Sequence, residues 1–287
     1  MGGRGRYRRE RRHVKVSGHD RVEALPFAAQ PRLHNPIGAP TSRLARACFA
    51  GSWQADNYAD RGADVEMLLR PVLEAGLLDI FDRMAAPGAR GARFPAPYDR
   101  AVLGDRSYSA LLDEYRRYAC FLNVNSVKTS PTMCSRRVFE LLACRTPVVS
   151  TPSRAIDELL GDVVVTVDSP ADALAAVERL TSDPEHRDRV GHLGYRTVLS
   201  RHTYGHRVDG ILDRVGIASP AAPPRVTVLA PTNRPEYLDR LLDNFSDSAT
   251  SQQSCSCSPT RTASIAPRSI ADSPPWPARG RSISPRE

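Results

Sequence analysis

The stretch Ser130–Ser150, SPTMCSRRVFELLACRTPVVS, limits the possible folds of this chain more than any other. Small polar residues lead into an amphipathic helix that carries Arg136 and Arg137 at its start and Glu140 at its centre. Thr146-Pro147 then turns directly into the apolar pair Val148-Val149. Loop, helix, tight turn and buried strand in that order form the repeating unit of an open parallel sheet with helices on its faces. A helix start reached through such a loop leaves backbone N–H groups free at the positive end of the helix dipole. An anion is favoured there.

The same alternation runs on both sides. ARACFAG (45–51) predicts a short buried strand. From Asp60 to Gly76, Val65, Leu68, Leu69, Val72 and Leu73 recur at helical spacing, with Gly76 as the C-cap. LLDIF (77–81) and ACFLNVN (119–125) predict strands, separated by a helix from Ser107 to Tyr118 with Ser107 as N-cap. A helix over Ser135–Cys144, the strand PVVST (147–151) and a short helix over Ser153–Leu160 follow. VVVTV (163–167) has one polar residue, Thr166, and so reads as a central parallel strand. Helices at 170–181, 184–200 and 203–215 complete a doubly wound, Rossmann-like α/β sheet.

The formal charge of +8 suggests a polyanion partner until it is located. Residues 1–16 carry a net +6 and residues 246–287 a net +2, which leaves 17–245 near neutrality. A basic arm of this kind reads as a solvated, disordered tail rather than a specific nucleic-acid site. Residues 1–45 are basic and then Pro-rich, an arm and extended connector; 46–217 form the predicted domain; 218–224 (ASPAAPP) read as a linker. Residues 246–287, with eleven serines and six prolines, cannot build a core and read as disordered. None of the six cysteines forms a CxxC pair, and no histidine-rich cluster completes a zinc site, so neither metal nor other cofactor is expected. Cys48, Cys120 and Cys144 lie in apolar runs and read as core. No membrane-length apolar run and no signal peptide is present, which fits a reducing cytoplasm.

The run FLNVNSVKTSPTMCSRRVFELLACRTPVVST resembles the C-terminal, nucleotide-sugar-binding half of GT-B glycosyltransferases of group 1, in the branch that includes the CgeB-like spore-maturation proteins. FAGSW (49–53), LDIFDR (78–83) and RHTYGHR (201–207) match as well, so the resemblance covers about residues 20–217. It implies transfer of a sugar from a nucleotide-diphosphate sugar to an unidentified acceptor, and assigns no catalytic residue. Glu140 falls on the second acid of the family's E-x7-E pattern, which bonds ribose hydroxyls. Of Arg136 and Arg137, one would face the diphosphate and the other pair with Glu140 or solvent. Ser130, Thr132 and Ser135 would present donors to the phosphates. Gly51 allows close backbone approach at the end of the first strand, and Ser52 follows at the mouth of the cleft beside Trp53, which reads equally as core or as a lid. Asn123 and Asn125 flank a strand end, and alternation pairs Asn125 with the loop.

Two positions depart from the family. Thr132 stands at the first acid of E-x7-E, and Arg145 at a helix-end glycine, where a left-handed backbone would cost about 1 kcal/mol. These departures leave a non-catalytic, degenerate binding module as the alternative, with a nucleic-acid binder led by the basic arm a distant third. His202 and His206 read as helix-start packing and polar surface. The segment 225–245 resembles the opening of a GT-A (family 2) domain, which breaks off at Phe245 as a truncated or frame-shifted reading frame would. Donor binding by this polypeptide alone is expected to be weak, and turnover absent.

Overall fold

The structure is a computed structural model that describes residues 24–53 and 61–218, together with a few positions between 235 and 243. By contacts the chain divides into a unit of Met1–Ala221 and a unit of Ala222–Glu287. In the second unit the 3-10 turn Pro235–Tyr237 is described. The basic arm, the 218–224 linker beyond its first residue, most of the GT-A-like segment and the Ser/Pro-rich tail lie outside the described residues.

Five parallel strands form one sheet: β1 (Leu44–Gly51), β2 (Leu78–Asp82), β3 (Tyr118–Asn123), β4 (Val148–Ser150) and β5 (Val165–Thr166). Their spatial order is β2-β1-β3-β4-β5. Seven helices accompany them among the described residues: α1 (Arg61–Glu74), α2 (Tyr108–Arg117), α3 (Arg136–Ala143), α4 (Arg154–Leu159), α5 (Pro170–Ser182), α6 (Pro184–Arg201) and α7 (Tyr204–Arg214). Strand alternation divides the core between the two faces. Cys48, Ala50 and Phe121 pack with Val138, Phe139 and Leu142 of α3 and Val198 of α6. Ala47, Phe49, Cys120 and Leu122 pack with Leu68 and Val72 of α1 and Val177 of α5. The doubly wound parallel fold is the one the alternating pattern predicts, and the three cysteines assigned to the core are fully buried.

Local signals placed the element ends well. Ser107 caps α2 by accepting from the Ala110 N–H at 3.3 Å. Gly76 adopts φ +71°, as a helix-terminating glycine does. Arg145 has φ +57°, so the arginine does occupy the left-handed position that favours glycine.

Two expectations are corrected. β5 is parallel but lies at the sheet edge and not at its centre. Its flanking valines are buried because helices cover both faces even there: Val164 joins one core and Val167 the other. An all-apolar run therefore reports covered faces, not a central position. The connector before β1 is also more than an extended arm. It turns at 31–38, buries Ala28, Ala29 and His34, and bridges Ala29 to Thr203 between α6 and α7.

Candidate functional site

In the order β2-β1-β3-β4-β5 the chain leaves β1 towards one edge of the sheet and β3 towards the other. The carboxyl ends of these two neighbours bound the crevice where open α/β sheets bind ligands. A cavity of about 300 Å³ lies there. Gly51 at the end of β1, Asn123 and Asn125 at the end of β3, Ser135 and Arg137 at the start of α3, and Arg61 at the start of α1 all line it.

Sequence reasoning named Gly51, Asn125, Ser135 and Arg137, and the structure brings these four to one cavity. Ser135 is the N-cap of α3, yet its hydroxyl makes no capping bond. Arg137 donates to the Ala50 carbonyl and, at 3.3 Å, to the Tyr115 hydroxyl. Asn125 is spent on the scaffold. Its amide nitrogen donates to the Thr151 carbonyl at 2.7 Å, and its own N–H donates to Thr151 Oγ1 at 3.1 Å.

Ser52, Ser130, Thr132, Arg136 and Glu140 lie outside the cavity lining. Ser52 is buried, with Arg83 Nη2 3.5 Å from its hydroxyl. Ser130 Oγ accepts from the N–H groups of Thr132 and Met133, so it closes the loop's own turn. Trp53 packs on Phe94 and Tyr98, at 5.5 and 5.8 Å between ring centroids. His202 stacks on Phe139, and burial beside Arg207 lowers its pKa to about 4; His206 completes a capping box with Thr203.

Glu140 is 2 % exposed, and both its oxygens are occupied. Oε1 accepts from Tyr108 Oη at 2.9 Å and pairs with Arg136 Nε at 2.8 Å; Oε2 accepts from Tyr115 Oη at 3.1 Å. Behind Tyr108 stands His34, whose Nε2 is 2.8 Å from the phenol oxygen. His34 Nδ1 accepts from the Gln30 N–H at 2.9 Å, so the ring proton sits on Nε2 and points at Tyr108. Burial lowers the His34 pKa, and burial together with the bond to Glu140 pushes the Tyr108 phenol up to about 12. The resting arrangement is a relay from His34 through Tyr108 to a carboxylate already held by Arg136. Glu140 neither faces solvent nor leaves the start of α3 covered.

Arg61 escaped the sequence reading, although it carried a signal. A cation at the first position of a helix opposes the helix dipole and calls for an anion nearby. Arg61 is buried, donates to the Val124 carbonyl at 3.1 Å and to Ser126 Oγ at 2.8 Å, and lines the cavity. No acidic residue appears among the cavity's lining residues. Two guanidinium groups, a serine without a side-chain capping bond and a helix start therefore meet at one small crevice, an environment that suits a phosphorylated ligand.

The fold is Rossmann-like and of the GT-B type. The chain belongs to the glycosyl transferase-like family, whose pattern matches residues 66–213, and its fold is that of the group 1 enzymes. Among solved structures it resembles sucrose-phosphate synthase from Thermosynechococcus elongatus, with a TM-score of 0.51 and 15% identity over 72% of this chain and 56% of that one. A glycosyltransferase involved in avilamycin A biosynthesis aligns with a TM-score of 0.48 and 17% identity, over 73% of this chain and 61% of that one. The C-terminal domain of a group 1 family glycosyl transferase from Francisella tularensis aligns at 0.43 and 12%, over 61% of this chain and 99% of that domain. At these identities the likeness is one of fold. The chain spans a little over half the length of the first two structures. No match is found among curated proteins.

Proposed function

We propose that residues 46–217 bind a nucleotide-diphosphate sugar and supply the donor side of a glycosyl transfer to an acceptor still to be identified. The carrying observation is the crevice at the β1/β3 switch point, which Arg61, Ser135 and Arg137 line together. Arg61 and Arg137 would hold the diphosphate and stabilise it as it leaves. Gly51 admits the ligand beside β1, Asn125 and Ser52 brace the crevice, and Ser130 and Thr132 shape the loop over it. Glu140 would reach the ribose hydroxyls once Tyr108 and Arg136 yield their places on its oxygens. No metal is required, because the guanidinium groups carry the countercharge. The FAGSW and RHTYGHR pieces are what support a kinship with the CgeB-like branch. The resemblance of 225–245 to a GT-A opening rests on sequence, as do the boundaries of the arm, linker and tail. No helix among the described residues is long and apolar enough to cross a membrane. Site chemistry of this kind suits a cytoplasmic pool of nucleotide sugars.

Titration calorimetry with UDP, GDP and their sugar conjugates tests the reading. One nucleotide series is expected to bind, and Arg137→Gln to weaken it about tenfold or more, since a hydrogen bond to a charged group is worth about 1.5–3 kcal/mol. Absence of binding by all four ligands refutes it. The second reading, a non-catalytic binding module, draws support from Glu140, whose oxygens are already filled by protein donors, and from Thr132 at the first acid position. Binding without transfer, with any acceptor and any added acceptor domain, would favour it.

A further inference from the structure

The floor of the crevice holds a buried amide network whose orientations are fixed from one end. The Thr151 carbonyl can only accept, and it receives Asn125 Nδ2 at 2.7 Å and Ser150 Oγ at 2.9 Å. Asn125 must therefore turn its amide nitrogen to Thr151 and its Oδ1 to Asn123. Ser150, its proton given to Thr151, has only lone pairs left for its neighbours. Both constraints require Asn123 to point its nitrogen inward, at 3.1 Å from Asn125 Oδ1 and 2.9 Å from Ser150 Oγ. The remaining atom, Asn123 Oδ1, has no hydrogen-bond partner among the described residues. Asn123 is 8 % exposed and lines the cavity, so this acceptor is offered to the crevice. It is not among the fully buried, unpartnered side-chain atoms, so it stays open to a donor that a ligand brings.

We propose that Asn123 is a specificity-determining residue that accepts a hydrogen bond from a hydroxyl of the transferred sugar; this rests on the donor-binding reading above. Three observations favour the sugar over the base or ribose. Asn123 lies two residues beyond the Cys48–Phe121 pair, level with Ala50, to which Arg137 is tied, and directly before Val124, to which Arg61 is tied. The backbone that carries the acceptor thus runs beside the carbonyls that hold both guanidinium groups, next to where a diphosphate would lie. The cavity, at the lower end of the usual size of about 300–1,000 Å³, takes part of a nucleotide sugar rather than all of it. The lining offers no carboxylate to a sugar hydroxyl, and position 132, where the resemblance expects the sugar-facing acid, is threonine. A neutral amide acceptor replaces that charge in function without adding a negative group beside the phosphates.

The test compares UDP with UDP-glucose and GDP with GDP-mannose by calorimetry on the full chain. In the pair that binds, the sugar conjugate is expected to bind about three- to tenfold more tightly than the bare diphosphate, the range one net hydrogen bond supplies. Asn123→Ala should erase that margin while leaving the bare diphosphate's affinity in place. Ser150→Ala, which loosens the network but keeps the Asn123 carbonyl, should retain it. If Asn123→Ala fails to fold, Asn123→Thr keeps a hydroxyl donor for Ser150 and still removes the carbonyl, with the same loss expected. A wild type that binds both members of the pair equally, or a variant that weakens both alike, overturns the inference and leaves donor binding intact. Failure of all four probes to bind wild type overturns both.

Discussion

The two ends of α3 receive opposite treatment. At its start, Ser135 makes no side-chain capping bond, and Ser135 and Arg137 line the crevice. At its end, almost every carbonyl is claimed. Arg43, from the connector before β1, sends one guanidinium nitrogen to the carbonyls of Tyr115 and Tyr118 and to Thr146 Oγ1, at 3.3, 3.0 and 2.7 Å. The other nitrogen reaches the carbonyls of Cys144 and Arg145 at 3.2 and 3.3 Å. One half-buried cation thus closes the ends of α2 and α3 together, and a cation at a helix C-terminus also has a favourable dipole. Burial lowers the pKa of Arg43 to about 10, far above any working pH, so it stays charged. The difference separates scaffold from site: donors left open at one end of a helix are affordable when the other end is over-satisfied and immobile.

The largest break in this comparison should come from Arg43→Leu. Four carbonyls and a hydroxyl would lose a charged donor together, at about 1–3 kcal/mol for each group left buried and unpaired. Partial rehydration leaves a net loss of about 4 kcal/mol. Urea unfolding followed by circular dichroism measures it, and a loss under about 1 kcal/mol would show that water satisfies these carbonyls as well as the guanidinium does.

The sequence made one end of α3 legible and hid the other. The loop, arginines and glutamate that open the helix lie within a dozen residues, and so do the signals for Ser107 and Gly76. Arg43, by contrast, bonds Thr146 across 103 positions. His34 meets Tyr108 across 74, and Arg61 meets Val124 across 63. A polar contact of that span leaves no spacing to read, and a basic residue in a connector looks like any solvated charge. Glu140 was legible as an important carboxylate, but the two tyrosines that cover it, Tyr108 and Tyr115, fall seven residues apart on the apolar face of α2, where they read as packing and not as its partners. β5 was misplaced for a related reason: its valines record that helices cover both faces, which is equally true at the edge of this sheet.

A second break is sharper because it has an internal control. α6 packs on the α3–β4 turn through two glycines. A Cβ at Gly191 would lie 2.4 Å from the Arg145 carbonyl oxygen, a backbone atom that Arg43 also holds. A Cβ at Gly194 would lie 2.6 Å from Leu142 Cδ2, the tip of a side chain that can change rotamer. Gly191→Ala should therefore cost about 2–3 kcal/mol and Gly194→Ala about 1 kcal/mol, overpacking being resisted most where backbone cannot move. Thermal melts of the two variants check the order. Equal losses would mean that α6 shifts as a body and that the far end of α3 is less rigid than its hydrogen bonds imply.

The smallest effect tests the same end with the opposite sign. Arg145 holds φ +57°, and a residue with a Cβ pays about 1–2 kcal/mol for that conformation. Glycine removes the clash but returns about 0.5–1 kcal/mol of unfolded-chain entropy. Arg145→Gly is thus expected to stabilise the chain by about 0.5–1 kcal/mol, since its carbonyl bond to Arg43 Nη2 and its contact with Gly191 are made by backbone and survive the change. Among the described residues no side-chain bond or ion pair of Arg145 opposes this gain. A loss of stability in urea unfolding would show that the arginine side chain contributes more here than its backbone position costs. A gain would place the strain at the closed end of α3, where it is held by the surrounding bonds and does not reach the open end that faces the crevice.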